Sequence, residues 1–179
     1  NLSQIQFVYG TEQYVYAKRS GNEVTWLAGD FKSKEEKTLL TLEALNQKLK
    51  AAGRTELKAM PMIQFNQGAD WILNIQGEKV AYNPVKGSFT TLIDAVTAAK
   101  GNVEQSKAGY IAYLDHFNLF VANGADAKQV TQDGSSDIVY ASSVHRDEFG
   151  ISKGTFWSNS GKVLAFYRMD QSMVADYPI

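Results

Sequence analysis

The feature that most constrains this chain is a recurring run in which an aromatic residue, a polar turn containing glycine and an alternating strand follow one another. Three runs show it: FVYGTEQYVYAKRSGNEVTWL from Phe7 to Leu27, FNQGADWILNIQGEKVAY from Phe65 to Tyr82, and WSNSGKVLAFYRMD from Trp157 to Asp170. Alternation with a period of two places every second side chain on one face of a pleated strand, so these runs predict short antiparallel strands joined by tight turns. A fourth copy, SKAGYIAYLDHFNLFV from Ser106 to Val121, aligns with the third, SKAG on SNSG and YIAY on VLAF. Ala112 and Ala165 then stand 53 residues apart.

A four-stranded unit of that length cannot cover its own apolar faces, so neighbouring copies must stack. Propeller blades repeat at roughly 40 to 50 residues, and a slightly long blade with an insertion fits the spacing. Tyr110, Tyr113, Phe117, Phe120, Phe156, Trp157, Phe166 and Tyr167 are expected to fill the core between blades rather than to form a binding strip. Two segments depart from the pattern. Ser33 to Gly53 is expected to be an amphipathic helix, with Ser33 and Glu36 as a capping box, Leu39, Leu42, Leu45 and Leu49 on one face, and Gly53 as the left-handed stop. Ser88 to Lys100 is expected to complete a hairpin that turns at Asn83 to Gly87 and then form a short helix from about Leu92 to Lys100.

Charge and composition remove several function classes. Eighteen Lys and Arg against nineteen Asp and Glu leave a net charge of −1, and no basic cluster is long enough to track phosphates, so nucleic acid is not an expected partner. The chain has no cysteine, so neither a disulfide framework nor a thiolate metal site is available. Polar residues interrupt every apolar stretch well before ~18 positions, so no membrane association is expected. His145 and Glu148 lack a third ligand nearby, so no metal and no cofactor are expected; His116 is read as a strand or turn residue.

The last third of the chain is more specific. It contains QVTQDG ending at Gly134, RDEFG ending at Gly150, WSNSG ending at Gly161, and LAFYRMD ending at Asp170, in that order. In these motifs it resembles the propeller of dipeptidyl peptidase IV and its relatives in the prolyl oligopeptidase family, where a "QLTxDG" turn precedes paired acids, a Ser-Pro-Asp-Gly turn and an "LAFxRxD" strand. The resemblance is specific over about 60 C-terminal residues and only repeat-like over the first ~100. It implies a mainly β fold, the N-terminal portion (about three blades) of a β-propeller with one inserted amphipathic helix at about 33–53, filling residues 1–179 as a partial propeller domain.

In that family the paired acids bind the free α-amino group of a peptide substrate, and the pair falls on Asp147 and Glu148. Carboxylates at a fixed distance from the nucleophile distinguish a terminal ammonium from an internal amide through charge-assisted hydrogen bonds of roughly 1.5 to 3 kcal/mol each. Many relatives carry tyrosine and three glutamates where this chain reads His145, Arg146, Asp147, Glu148. Aspartate shortens the reach by one methylene, and Arg146 either pairs with Asp147 or competes with the substrate amine. Glu148 is therefore the stronger candidate, with Arg146 and His145 as modulators. The family also uses a propeller arginine on a substrate carbonyl, and neither Arg19 nor Arg54 lies in a matching motif.

The resemblance implies a parent enzyme that is a periplasmic or secreted bacterial serine exopeptidase, releasing N-terminal dipeptides, often after Pro or Ala. Its expected partners are the peptide substrate's N-terminus, its own C-terminal hydrolase domain and a second copy in a homodimer. No GxSxG elbow and no Ser, Asp, His order occur in these residues, so the catalytic α/β-hydrolase domain and the signal peptide are expected to lie outside them. The rival reading is a non-enzymatic propeller scaffold for protein or peptide partners, because propellers host many functions. A third, an independent small α+β ligand-binding domain, requires these residues to be a whole natural protein.

Overall fold

Strand alternation decides what each sheet buries. The computed structural model describes residues 2–8, 10–65, 69–124, 126–143, 148–151 and 153–174, and the chain separates into two units, Asn1–Asp94 and Ala95–Ile179. In the first unit β1 (Leu2–Phe7), β2 (Gln13–Ser20), β3 (Glu23–Asp30) and β4 (Glu36–Leu40) form an antiparallel sheet in chain order. A second such sheet contains β5 (Ile63–Gln64), β6 (Trp71–Ile75), β7 (Glu78–Asn83) and β8 (Ser88–Ile93). Val15, Ala17, Trp26, Ala28 and Leu40 of the first sheet share one core with Ile63, Leu73, Ile75, Val80 and Tyr82 of the second. A run of ring contacts at 4.6–5.4 Å joins Trp26, Phe65, Trp71, Tyr82 and Phe89 through that core.

The helix expected over Ser33 to Gly53 is shorter than its periodicity suggests. Glu36–Leu40 is strand β4, and α1 runs Leu42–Ala51. The neighbouring edge of β3 supplies a ladder for β4, Leu40 is buried, and the Glu36 carboxylate accepts from the Tyr14 and Tyr16 hydroxyls at 3.2 and 3.0 Å. Tertiary pairing thus overrides local preference. The cap is Thr41, whose hydroxyl accepts from the Ala44 N–H at 3.1 Å, while Ser33 accepts from Glu35 N–H in the preceding loop. Leu45 and Leu49 are buried as expected. Gly53, at φ 70°, ends the helix with Arg54 N–H donating to Leu49 O at 2.8 Å, the six-to-one closure that a left-handed residue permits.

The second unit begins with α2 (Ala95–Ala98), a shorter helix than the one expected to Lys100. It continues with an antiparallel sheet of β9 (Gly101–Gln105), β10 (Ile111–Asp115), β11 (Asn118–Asn123) and β12 (Asp126–Gln129). Two further ribbons pair β13 (Ile138–Tyr140) with β16 (Arg168–Asp170), and β14 (Thr155–Trp157) with β15 (Leu164–Phe166). Ala112, Leu119, Tyr140 and Ala141 form the buried centre of this unit, flanked by Leu114, Val121, Ile138, Trp157, Leu164 and Phe166. Three four-stranded sheets in chain order, followed by these ribbons, agree with the expected mainly β fold of about three blades.

The aromatic residues of this unit do not all join the core as expected. Trp157 and Phe166 do. Tyr113 and Phe120 instead stack on each other as a cross-strand pair, with centroids 5.5 Å apart, and Phe117, Phe156 and Tyr167 are exposed. A period of two necessarily turns half of such residues away from the core. His116 sits with Phe117 in the β10–β11 turn, at φ 46° and 68°. The SKAG and SNSG turns are built alike: Gly109 N–H donates to Ser106 O and Gly161 N–H to Ser158 O, while each serine hydroxyl accepts a later backbone N–H.

Candidate functional site

The acid-bearing segment is inserted in the sequence between β13 and β14, two strands that pair along one edge. β15 and β16 are one extended segment interrupted only at Tyr167. The Tyr167 carbonyl accepts from Ala141 N–H at 2.9 Å, while Tyr167 N–H donates to Gly154 O at 3.0 Å. A normal antiparallel partner would supply both groups from one residue. Here β13 ends its pairing at Ala141 and β14 resumes it from Gly154 along the same edge, so the intervening chain is an excursion out of an otherwise continuous strand.

The base of the excursion is closely fitted. Ser142 and Lys153 form an antiparallel bridge across it. Ala141 is buried and held at φ 54°, a conformation unfavourable to residues with a Cβ. A Cβ at Gly154 would fall on the backbone of Ala141 and Ser142, so only glycine permits this approach. Side chains from β9 hold both legs. Asn102 Nδ2 lies 3.1 Å from the Ala141 carbonyl and 3.1 Å from Ser142 Oγ on the outgoing leg. On the returning leg the Glu104 carboxylate pairs with the Lys153 ammonium and accepts from the Thr155 hydroxyl. Asn102 has φ 49° at an irregularity in the β9–β10 register, which turns its amide out of the regular alternation toward the neck.

Of the residues expected to recognise an amine, His145, Arg146 and Asp147 lie outside the described residues. Glu148 begins a 3₁₀ turn, Glu148–Gly150, within the excursion. Phe149 in that turn has φ 56° and is almost fully exposed, an uncommon state for a bulky residue. Asn102, Glu104, Lys153 and Gly154 were not singled out from the sequence. Their only local signal is a polar pair within the strand GNVEQ and a glycine preceding TFW.

Much of the motif that carries the family resemblance is structural. Asp133 of QVTQDG accepts from the Tyr140 hydroxyl at 2.5 Å and pairs with Arg168 of LAFYRMD at 3.1 Å, and Arg168 Nε donates to Tyr140 Oη at 3.0 Å. Hydrogen bonds from Tyr140 and then Arg168 hold the Asp133 carboxyl below its ordinary pKa. The bond to Asp133 is the main cause that raises the Tyr140 pKa, and bonds to Asp133 and Tyr140 raise that of Arg168. Asn118 Oδ1 accepts from Thr131 Oγ1 and Gly134 N–H, at 3.1 and 3.0 Å, and so fixes the turn after β12. Arg54 belongs to the first unit, where it pairs with Glu78 at 2.9 Å and donates to Thr91 Oγ1 at 2.6 Å.

Residues 61–179 match the family model for the dipeptidyl peptidase IV N-terminal region. A crystal structure assigned to dipeptidyl aminopeptidase IV from Bacteroides ovatus superposes with a TM-score of 0.72 at 31% identity, over 97% of this chain and 24% of that one. Dipeptidyl aminopeptidase B of Saccharomyces cerevisiae is 28% identical over 128 residues, 66% of this chain and 15% of the yeast protein. Porphyromonas gingivalis dipeptidyl peptidase 4 shares the fold with a TM-score of 0.54 at 21% identity, over 97% of this chain and 26% of that one. The chain thus spans about a quarter or less of the length of these relatives.

Proposed function

The chain belongs to the dipeptidyl peptidase IV N-terminal region family, and from that membership we propose that it forms the substrate-recognition part of a serine exopeptidase that releases N-terminal dipeptides, often after Pro or Ala. Glu148 anchors the α-ammonium of the peptide, with Asp147 as the second carboxylate and Arg146 and His145 as modulators. The catalytic serine, aspartate and histidine come from an α/β-hydrolase domain in the longer parent protein, which acts in the periplasm or outside the cell and assembles as a homodimer.

The observation that supports this reading is the strand interrupted between Ala141 and Gly154, because Glu148–Gly150 then falls in a stretch whose two ends are held on a fixed base. An anchor of this kind needs such a base: the distance from ammonium to nucleophile selects how many residues precede the scissile bond, and misplacement by about 1 Å costs on the order of 10²-fold. The chemistry is selection by charge. An internal amide offers no ammonium to satisfy a desolvated carboxylate, so it binds with an unpaired group on the protein side.

The test is Glu148→Gln in the full-length protein. kcat/KM for an unblocked dipeptide substrate should fall by roughly 10² to 10³, since a neutral amide replaces a carboxylate paired with an ammonium. Asp147→Asn should cost less, and a substrate with a blocked N-terminus should be poor for both wild type and variant. A Glu148→Gln enzyme within twofold of wild type on the unblocked substrate overturns the amine-anchor assignment. Full-length protein without peptidase activity would favour the scaffold reading instead.

A further inference from the structure

We infer that Asn102 and Glu104 of β9 are positioning residues for peptide recognition, acting through the excursion rather than on the substrate. The inference rests on the amine-anchor reading of Glu148 and identifies what sets that carboxylate's place. The neck is held from one strand: Asn102 bonds the outgoing leg at Ala141 O and Ser142 Oγ, and Glu104 bonds the returning leg at Lys153 and Thr155. Glu104 is about three-quarters buried, whereas Lys153 is half exposed.

Backbone pairing seats the two ends of the neck on Tyr167, through Ala141 N–H and Gly154 O, but reaches only one step beyond them. One isolated bridge, Ser142 with Lys153, closes the excursion, and the residues beside it are a non-glycine in the left-handed region and a glycine with no side chain. Ala141 packs into the buried centre of the unit, but Gly154 brings no side chain to the returning leg. The two β9 side chains tie both legs to one strand, and the Asn102 amide also caps a carbonyl that has left the ladder. Loss of either would let the excursion tilt while β13 to β16 remain paired, so the damage would appear in recognition before it appears in the sheet.

The experiment is a double-mutant cycle between Glu104 and Glu148 in the full-length protein, read as kcat/KM on an unblocked dipeptide chromogenic amide. Glu104→Gln should lower kcat/KM roughly 10-fold, mostly through KM, by analogy with other small displacements of a binding group. In the Glu148→Gln background the same change should add less than about twofold, because the group it positions no longer carries charge. Asn102→Ala should behave in the same way from the other leg, and it stands in for Glu104→Gln if that variant does not accumulate. If Glu148→Gln impairs the enzyme while both β9 variants stay within twofold of wild type, the positioning role is wrong and the anchor stands. Losses that multiply fully in the double mutant also overturn it, since general destabilisation behaves that way. A normal Glu148→Gln enzyme removes the anchor and this inference with it.

Discussion

The two units of the chain differ in the extent of their apolar core. In Asn1–Asp94 two sheets and α1 share a continuous apolar core that includes Trp26, Phe65, Leu73, Val80, Tyr82 and Leu49. In Ala95–Ile179 the buried apolar centre is smaller, and side-chain hydrogen bonds hold the turns around it: Asp133 with Tyr140 and Arg168, Asn118 with Thr131 and Gly134, and Glu104 with Lys153 and Thr155. Apolar packing tolerates many residues of suitable volume, whereas a polar network demands particular atoms at particular positions. The motifs that carry the resemblance include residues of this second network, whereas the first unit, which has polar contacts of its own such as Asn46 with Leu57, reads only as a repeat.

The comparison fails if the first unit is insensitive to core truncation. Trp26→Ala should destabilise the protein by about 3 to 5 kcal/mol, independent of pH near neutrality, as measured by urea unfolding followed by far-ultraviolet circular dichroism. Trp26→Phe should cost less, because the indole N–H is buried without a hydrogen-bond partner among the described residues and its removal forfeits only packing. A smaller effect tests the local account of α1. Thr41→Ala should cost about 1 kcal/mol and Ser33→Ala less than about 0.5 kcal/mol; the reverse order would restore Ser33 as the cap.

The smallest effect sharpens the contrast through its pH dependence. Asp133 and Arg168 are each about half exposed, so solvent screens their pair and Asp133→Asn should shift the thermal midpoint only slightly at neutral pH. Because folding lowers the Asp133 pKa, its contribution is present above the ordinary carboxylate value of about 4 and is lost as pH falls through the lower folded value. The difference between wild type and Asp133→Asn should therefore shrink on acidification, measured by thermal melts from neutral pH downward. A difference that grows toward acid would show that the Asp133 carboxylate does not stabilise the folded state.

Strand content was legible because alternation is a local property, as in QYVYAK and EKVAYN, which became β2 and β7. The β8 hairpin and its turn at Asn83 to Gly87 were legible for the same reason. The start of α1 was not, because Leu39 falls on the same helical face as Leu42, Leu45 and Leu49, and periodicity cannot show that β3 already claims the residues before Thr41. The acids were proposed from flanking motifs, yet the neck was invisible: it consists of a change in pairing at Tyr167 and of contacts from β9, which no local pattern encodes. Arg168 and Asp133 were noticed as parts of motifs, and the structure gives them a framework role.

The interrupted strand has a consequence for how such a protein changes. Since pairing stops at Ala141 and resumes at Gly154 against the same extended partner, the sheet retains no memory of how many residues lie between. Length and content of that stretch are free variables, and loop closure grows only slowly with length. A lineage can therefore lengthen, shorten or recharge the segment between these two residues while the scaffold stays as it is, provided that the glycine at 154 and the two β9 side chains at the neck are kept. The same junction is a natural splice point for protein engineers, where a foreign recognition loop can be exchanged without redesigning a single strand.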